Sequence, residues 1–243
     1  MKKKILVFIV TYKASFRLLN LINKIPFRYL SNYDYEIFIS DDHSNDKVSL
    51  KYIDFIKDTF DQKIKINFNK KNIGYGANIK KCITYAYKKK YDYAVMLHGD
   101  NQYNPKYIVK MFKHALKYNC DAVVGSRIKK KGYALKGNMP IYKYLGNIVL
   151  SKYFNFFFKS QFSDCHTGYW LYNLKSIPKF YFYNCDDKFC FDIDLRLQLI
   201  NGKKDIQEIA ISTFYGTERS SFHIIYAMRF FYKVLKFKFT KRL

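Results

Sequence analysis

Apolar residues fall along this chain in blocks whose period changes from one block to the next. Ile5-Leu6-Val7-Phe8-Ile9-Val10 is apolar on both faces, as a strand inside a parallel sheet must be. Ser15 to Lys24 repeats at helical spacing and stops before Pro26. Glu36-Ile37-Phe38-Ile39 predicts a second strand, Leu50 to Phe60 a helix, and the alternating Ile64-Lys65-Ile66-Asn67-Phe68 a more exposed strand. Ile79, Cys82, Ile83, Ala86 and Tyr87 share one helical face, and Tyr93 to Leu97 is another apolar strand. Pro105 suits a helix start, and Ile108, Met111, Phe112, Ala115 and Leu116 repeat the one-sided pattern. Ala122-Val123-Val124-Gly125 predicts a further short buried strand. The order β-α-β-α-β-α-β-α-β predicts an α/β, doubly wound sheet, whose ligands belong at the carboxyl ends of its strands.

Beyond residue 128 the pattern changes. Lys129-Lys130-Lys131-Gly132 is a basic run that suits a mobile loop or a solvated turn equally. Ile141 to Phe158 is apolar on nearly every side, with Lys143, Asn147, Lys152 and Asn155 interrupting. It is too short and too polar to span a bilayer, which leaves a buried helix or one lying at a membrane interface. Ile206 to Ile211 alternates as a strand. In the tail from Phe222 to Leu243, Ile224, Met228, Phe231 and Leu235 share one helical face, while Arg229, Lys233 and Lys236 lie opposite. Such a helix reads as a basic amphipathic anchor on a membrane surface. Its competitor is a helix docked on the domain with its cations outward.

Polar clusters sit where the strands end. Ser40-Asp41-Asp42-His43-Ser44-Asn45-Asp46 closes the second strand, and Asn72-Ile73-Gly74-Tyr75-Gly76 precedes a helix, where two glycines permit close approach of a phosphate or ribose. Leu97-His98-Gly99-Asp100-Asn101-Gln102 ends a strand in donors spaced two apart, a set suited to a divalent ion clamping a diphosphate. A bare His-x-Asp-x-Gln is more often a polar strand-to-helix loop. Asp164-Cys165-His166-Thr167-Gly168-Tyr169-Trp170 is the densest reactive run in the second half. Phe191-Asp192-Ile193-Asp194 places two carboxylates two residues apart, where Asp192 reads as a helix cap. Thr213, Tyr215, Glu218, Arg219 and Ser220 follow the last strand.

Composition narrows the classes. The 243 residues suit one α/β domain with a small appendage, and 49% hydrophobic content excludes a disordered chain. Lys and Arg outnumber Asp and Glu by 44 to 19, so the partner is anionic: nucleic acid, an anionic membrane or a phosphorylated substrate. No RNA-binding aromatic signature or helix-turn-helix pattern accompanies the charge, so a basic nucleic-acid-binding protein is the remote alternative and no nucleic-acid partner is expected. Five cysteines without Cys-x-x-Cys spacing fit reduced thiols in a cytosolic protein. Met1 to Val10 imitates a signal peptide, but its six-residue apolar run without a cleavage site reads as a first strand.

Taken in order, these motifs resemble the family 2 glycosyltransferases, particularly those similar to dolichol-phosphate mannose synthase. The series runs Val10-Thr11-Tyr12, Asp41-Asp42, Asn72-x-Gly74-x-Gly76, His98-Gly99-Asp100-Asn101-Gln102-Tyr103-x-Pro105, Gly125-Ser126-Arg127, Asp164-x-His166-Thr167-Gly168-Tyr169, Phe191-Asp192-x-Asp194 and Glu208-Ile209-x-Ile211. The resemblance covers about residues 5–220 and implies a GT-A fold, a Rossmann-like and mostly parallel sheet flanked by helices. It implies one domain over 1–220, with a nucleotide-sugar half at 1–128 and an acceptor half at 129–220, followed by the amphipathic tail at 221–243. It implies a nucleoside-diphosphate sugar as donor, with Tyr12, Asp41, Asp42, Asn72, Gly74 and Gly76 lining its pocket. It further implies Mg2+ or Mn2+, for which His98-Gly99-Asp100 stands at the family's Asp-x-Asp signature and Gln102 is a further ligand. Arg127 would face the donor or acceptor phosphates, and His166, Thr167 and Gly168 the acceptor.

The chemistry of the residues agrees. A sugar leaving a nucleoside diphosphate needs the departing charge neutralised, which a metal at Asp100 and the cation of Arg127 can do. A polyprenyl (dolichyl or undecaprenyl) phosphate acceptor is already anionic, whereas a sugar hydroxyl needs a base, for which Asp194 and Asp164 are the candidates. The expectation is therefore a metal-dependent transferase acting on a polyprenyl phosphate, peripheral on the cytoplasmic face of an anionic membrane; inversion at the anomeric carbon is implied by the resemblance alone. A family 2 enzyme with a glycan acceptor in cell-surface polysaccharide assembly is the alternative.

Overall fold

Seven strands are found among the described residues: β1 (Lys4–Thr11), β2 (Asp34–Asp41), β3 (Ile64–Phe68), β4 (Tyr93–His98), β5 (Ala122–Ser126), β6 (Trp170–Asn173) and β7 (Ile206–Ala210). They form one sheet in the order β3-β2-β1-β4-β6-β5-β7. The computed structural model describes residues 2–13, 15–60, 64–215 and 224–243, so Glu218, Arg219, Ser220 and the first residues of the tail lie outside it. Pairing is parallel throughout except at β6, which runs antiparallel between β4 and β5. The sheet is thus mostly parallel, as expected. What the pattern missed is β6: four consecutive buried residues, Trp170 to Asn173, carry no alternation that would reveal a strand or its direction.

The helices are α1 (Phe16–Asn23), α2 (Phe27–Leu30), α3 (Lys47–Thr59), α4 (Tyr75–Lys88), α5 (Tyr107–Tyr118), α6 (Tyr133–Lys136), α7 (Ile141–Phe158), α8 (Phe180–Tyr183), α9 (Phe191–Asn201) and α10 (Ile224–Thr240). Ser15 caps α1 by accepting from the Arg17 amide, and Asp46 caps α3 by accepting from that of Ser49. Side chains alternate across a strand, so β1 feeds two cores. Ile5, Val7 and Ile9 pack with residues of α1, α3 and α5, and Leu6, Phe8 and Val10 with residues of α4 and α9. The chain therefore switches faces between β1 and β4, and the crevice outside their carboxyl ends is where such sheets take ligands.

The expected boundary at residue 128 falls inside this one sheet, because β6 and β7 complete what β1 to β5 begin. A third core joins α7, α9 and α10 through Leu150, Phe154, Ile193, Leu197, Phe230, Val234 and Phe237. The tail helix is accordingly docked, and its inward face is not the one its periodicity predicted. Phe230, Val234 and Phe237 point in, while Met228 and Leu235 remain exposed, about 200° round the helix. Lys233, expected among the outward cations, also points in, toward α9. Contacts of Tyr153 with Phe231 (4.6 Å) and of Phe158 with Phe237 (6.3 Å) show α7 and α10 running side by side in one direction. Each keeps an exposed apolar stripe: Ile141, Leu145, Val149 and Phe156 on α7, and Met228, Tyr232, Leu235 and Phe239 on α10.

Candidate active site

The strand ends converge on a cavity of about 880 Å³. Its first wall comes from β1, β2 and the start of α4, where Thr11, Tyr12, Asp42, Asn72, Gly74 and Asn78 face the space. Asp42 accepts from the amides of Ile73 (2.9 Å) and Gly74 (2.9 Å) and from Asn69 (3.0 Å), so its carboxylate shapes the 72–76 loop. Asp41 does not reach the cavity. It is fully buried and accepts from the amide (2.6 Å) and hydroxyl (2.7 Å) of Ser44, folding the turn after β2. Adjacent side chains of an extended chain point to opposite faces, so one member of the expected pair had to turn away. Gly74, at φ +94, lines the cavity, but Gly76 does not. A Cβ on Gly76 would overlap the carbonyl oxygen of Asp186, so the close approach it permits is by protein backbone, not by a phosphate. Asn78, which the expected set omits, is buried and bonds Ser40 and Asn69 behind this wall.

His98, Asp100 and Gln102 all face the cavity. Strand geometry ends at His98, and the chain turns through Asn101 at φ +60, so a turn rather than strand alternation brings them together. One Asp100 oxygen accepts from the Gln102 amide (3.0 Å). His98 is held edge-on between Tyr75 (5.5 Å) and Tyr103 (5.2 Å), with Nε2 3.3 Å from the Tyr75 hydroxyl. Burial depresses its pKa against the opposing pull of Asp100, which keeps the ring neutral.

Arg127, at the end of β5, also lines the cavity, but its guanidinium is largely engaged. Nε and Nη2 grip both oxygens of Asp164 (2.7 and 2.8 Å), and Nη1 donates to the Tyr215 hydroxyl (2.9 Å). Asp164 is fully buried behind Arg127. Burial favours its neutral form, yet the Arg127 charge and hydrogen bonds outweigh that and hold its pKa below the ordinary value. Asp164, expected as a candidate base, is not placed to act as one: its proton-accepting oxygens are committed to Arg127. Thr167, expected at the acceptor, is likewise behind the wall and donates to the Gly125 carbonyl (2.5 Å). His166 and Gly168 do face the cavity, and burial pushes the His166 pKa down to about 4.

Asp194 is displaced from its expected role as well. It lies outside the cavity and accepts from Lys233 of α10 and the amide of Asp186. Its neighbour Asp192 takes the cavity position instead, because residues two apart on a helix diverge by about 200°. Asp192 is not the cap of α9, which begins after Cys190. Its Oδ2 accepts from the Tyr75 hydroxyl (2.9 Å), and its Oδ1 is buried with no hydrogen-bond partner among the described residues. Burial raises its pKa to about 7, although Tyr75 and Arg196 pull the other way. Such a carboxyl exchanges a proton near neutrality. The remaining wall is Tyr142, Lys143, Gly146 and Asn147 of α7 with Tyr226 and Phe230 of α10, residues that motif spacing does not mark.

The family model described as glycosyl transferase family 2 matches residues 6–180. The chain belongs to that family. Comparison of the sequence with curated proteins finds no match. Among solved structures, the transferase resembles glucosyl-3-phosphoglycerate synthase from Mycobacterium tuberculosis in complex with UDP (TM-score 0.65, 12% identity, 97% of this chain and 80% of that one). The same enzyme with Mn2+, UDP and glucosyl-3-phosphoglycerate gives a TM-score of 0.62 at 10% identity over the same shares. S. aureus TarS 1–349 with UDP-GlcNAc gives 0.56 at 15% identity, over 97% of this chain and 65% of that one. These likenesses place the transferase in the GT-A fold.

Among the described residues of the transferase, no group of three or more His, Cys, Asp and Glu side chains could cage a metal. The donors that do face the cavity are the Asp100 carboxylate and the Gln102 amide, with His98 already beside a phenol. A Mg2+ or Mn2+ ion that takes most of its ligands from phosphates and water needs only one or two protein carboxylates, so this set fits such an ion.

Proposed function

We propose that this family 2 transferase moves a sugar, with inversion, from a nucleoside-diphosphate donor to a polyprenyl phosphate at the cytoplasmic face of a membrane. The observation that carries the acceptor is the far wall of the cavity. It is built from the leading ends of α7 and α10, whose outer stripes are apolar and exposed, and Lys143 stands on it. Among the described residues, Lys143 meets the rings of Tyr142 (6.0 Å) and Tyr215 (5.7 Å) and no carboxylate, and burial with nearby Arg127 makes its charge costly. An incoming phosphate would relieve that cost while its lipid chain left along the apolar stripes. A net charge of +25 favours an anionic leaflet.

On the donor side, Asp42 sets the loop that would meet the nucleoside, and Asp100 with Gln102 would hold a divalent ion. That ion, when bound, supplies positive charge at the departing diphosphate. Arg127, kept charged and fixed by Asp164, adds a second cation without having to reorganise. The cavity volume lies near the top of the ~300–1,000 Å³ usual for small-molecule sites, which leaves room for an acceptor beside the donor.

The decisive assay supplies Mn2+, a panel of labelled nucleotide sugars, and either polyprenyl phosphate or a glycan. Label extractable into organic solvent, and lost in Asp100→Asn, is the expected result. Label that stays aqueous with every lipid acceptor, despite donor turnover, rejects this reading. Asp192 favours a second reading, a glycan hydroxyl acceptor in surface polysaccharide assembly, since only a hydroxyl needs a base. Asp192→Asn separates the two: transfer to a phosphate should survive it, and transfer to a hydroxyl should not.

A further inference from the structure

Asp194 and Lys233 sit at the seam between the tail helix and the catalytic domain. Lys233 Nζ donates to both oxygens of Asp194 at 2.8 Å, and Asp194 is 1% exposed. Docking α10 does not need this pair, because Phe230, Val234 and Phe237 already bury an apolar stripe. A buried carboxylate paired with a largely covered ammonium costs desolvation energy and is seldom a net source of stability; what such a pair supplies best is register.

The register leads into the cavity wall. Asp194 Oδ2 also accepts from the Asp186 amide (2.9 Å), which fixes the start of the 185–190 segment. That segment bears on the loop before α4: the Asp187 carbonyl accepts from the Ala77 amide (3.0 Å), and Lys80 donates to the Asp187 carboxylate (2.7 Å). The two glycines of the loop are what let the backbones meet. A Cβ on Gly74 would stand 2.7 Å from the Asp187 carbonyl oxygen, and one on Gly76 would overlap that of Asp186. The loop's other side is tied to Asp42 through the Ile73 and Gly74 amides. A parallel aromatic path runs from Tyr226 of α10 to Phe189 (5.2 Å) and on to Tyr75 (5.8 Å).

We propose that Lys233 is a positioning residue for the donor side of the cavity: through Asp194 and the 185–190 segment, docking of the C-terminal helix sets residues 72–78, the loop before α4 and its first turn. The proposal rests on reading that loop as the donor side. The coupling is reciprocal, so a nucleoside diphosphate bound at the loop tightens the helix, and the helix, once docked, tightens the nucleotide. The helix that presents an apolar stripe outward thus holds the sugar-nucleotide wall inward.

The test compares wild-type protein with Lys233→Met, Lys233→Arg and the double variant Lys233→Met/Asp194→Leu. Hydrogen exchange without ligand should quicken in residues 72–78 and 185–190 of Lys233→Met, as well as in α10. Calorimetry with UDP and Mn2+ should show about tenfold weaker binding, within the roughly 5- to 150-fold span of such couplings, and Lys233→Arg should restore most of it. The double variant, which removes both charges of the pair, should recover the melting temperature but not the affinity. Exchange that quickens in α10 alone, or a double variant that recovers affinity together with stability, overturns the proposal. Wild-type protein that binds no nucleoside diphosphate would reject the proposed function, while the exchange pattern would still decide the coupling.

Discussion

The Tyr75 hydroxyl donates to Asp192 at 2.9 Å while lying 3.3 Å from His98 Nε2, so one phenol joins the end of β4 to the first turn of α9. Because the bond favours the charged carboxylate, its removal should raise the Asp192 pKa further above about 7. For a hydroxyl acceptor, the acid limb of a pH–rate profile should centre near 7 and move up in Tyr75→Phe, while Asp192→Asn loses about 10²- to 10⁴-fold in rate. Stability follows the same group with a definite sign. A carboxyl whose folded pKa exceeds its unfolded value of 3.8 favours the fold most below about pH 4, and that contribution is lost as pH rises through about 7. Denaturant midpoints of wild-type and Asp192→Asn protein should therefore diverge across that window.

Arg127 and Asp164 make the opposite case. Removing one partner of a buried pair strands the other, so Asp164→Ala should cost about 3–5 kcal/mol in urea unfolding. With its folded pKa depressed, Asp164 stabilises the native state above its unfolded pKa, and that share disappears as pH falls through the lower folded value. Asp164→Ala should consequently show a flatter acid-unfolding curve than wild type.

Gly168 has no room for a side chain. A Cβ there would lie 2.7 Å from His98 Cε1 and 3.1 Å from the Tyr75 hydroxyl oxygen. Gly168→Ala should displace the His98–Tyr75 pair, costing about 1–3 kcal/mol in thermal unfolding, the range of an overpacked core. A kcat/KM that falls at least about tenfold beyond what the lost folded fraction explains is the expected signature.

The two stripes of α10 separate docking from surface binding. Phe237→Ala, on the buried stripe, should destabilise by about 3–5 kcal/mol. Met228→Asp with Leu235→Asp, on the exposed stripe, should leave the melting temperature within a few degrees and weaken binding to anionic phospholipid vesicles. Unchanged vesicle binding in that variant would remove the tail from any membrane contact.

Much of this was legible because strand burial and helix periodicity are local. The run from Ile5 to Val10 and the stripe from Ile79 to Tyr87 fold as their spacing predicts. The cavity, too, collects the polar ends of β1, β2, β4 and β5. What escaped depends on where a side chain points once its backbone is set. Asp41 against Asp42, and Asp194 against Asp192, are pairs of like residues whose inward member is chosen by strand alternation or helical rotation. Lys233 was hidden for a related reason: α10 is apolar on more than one face, and the face its periodicity marked mixes Phe231, which packs on α7, with Met228 and Leu235, which stay exposed. Lys143 and Tyr226 carry no local signal, since only tertiary packing brings α7 and α10 to the cavity.

The antiparallel insertion of β6 has a consequence for synthesis of the chain. Strands β4 and β5 do not pair with each other; each pairs with residues 170–173, which leave the ribosome about fifty residues after β5. Until then, the apolar β4 has one unpaired edge, and β5 has no partner on either side. Such edges template association between nascent chains. The first half, though it holds most of the strands, cannot join its own sheet, and the step that bridges β4 to β5 is the one that also delivers Gly168 to the cavity rim.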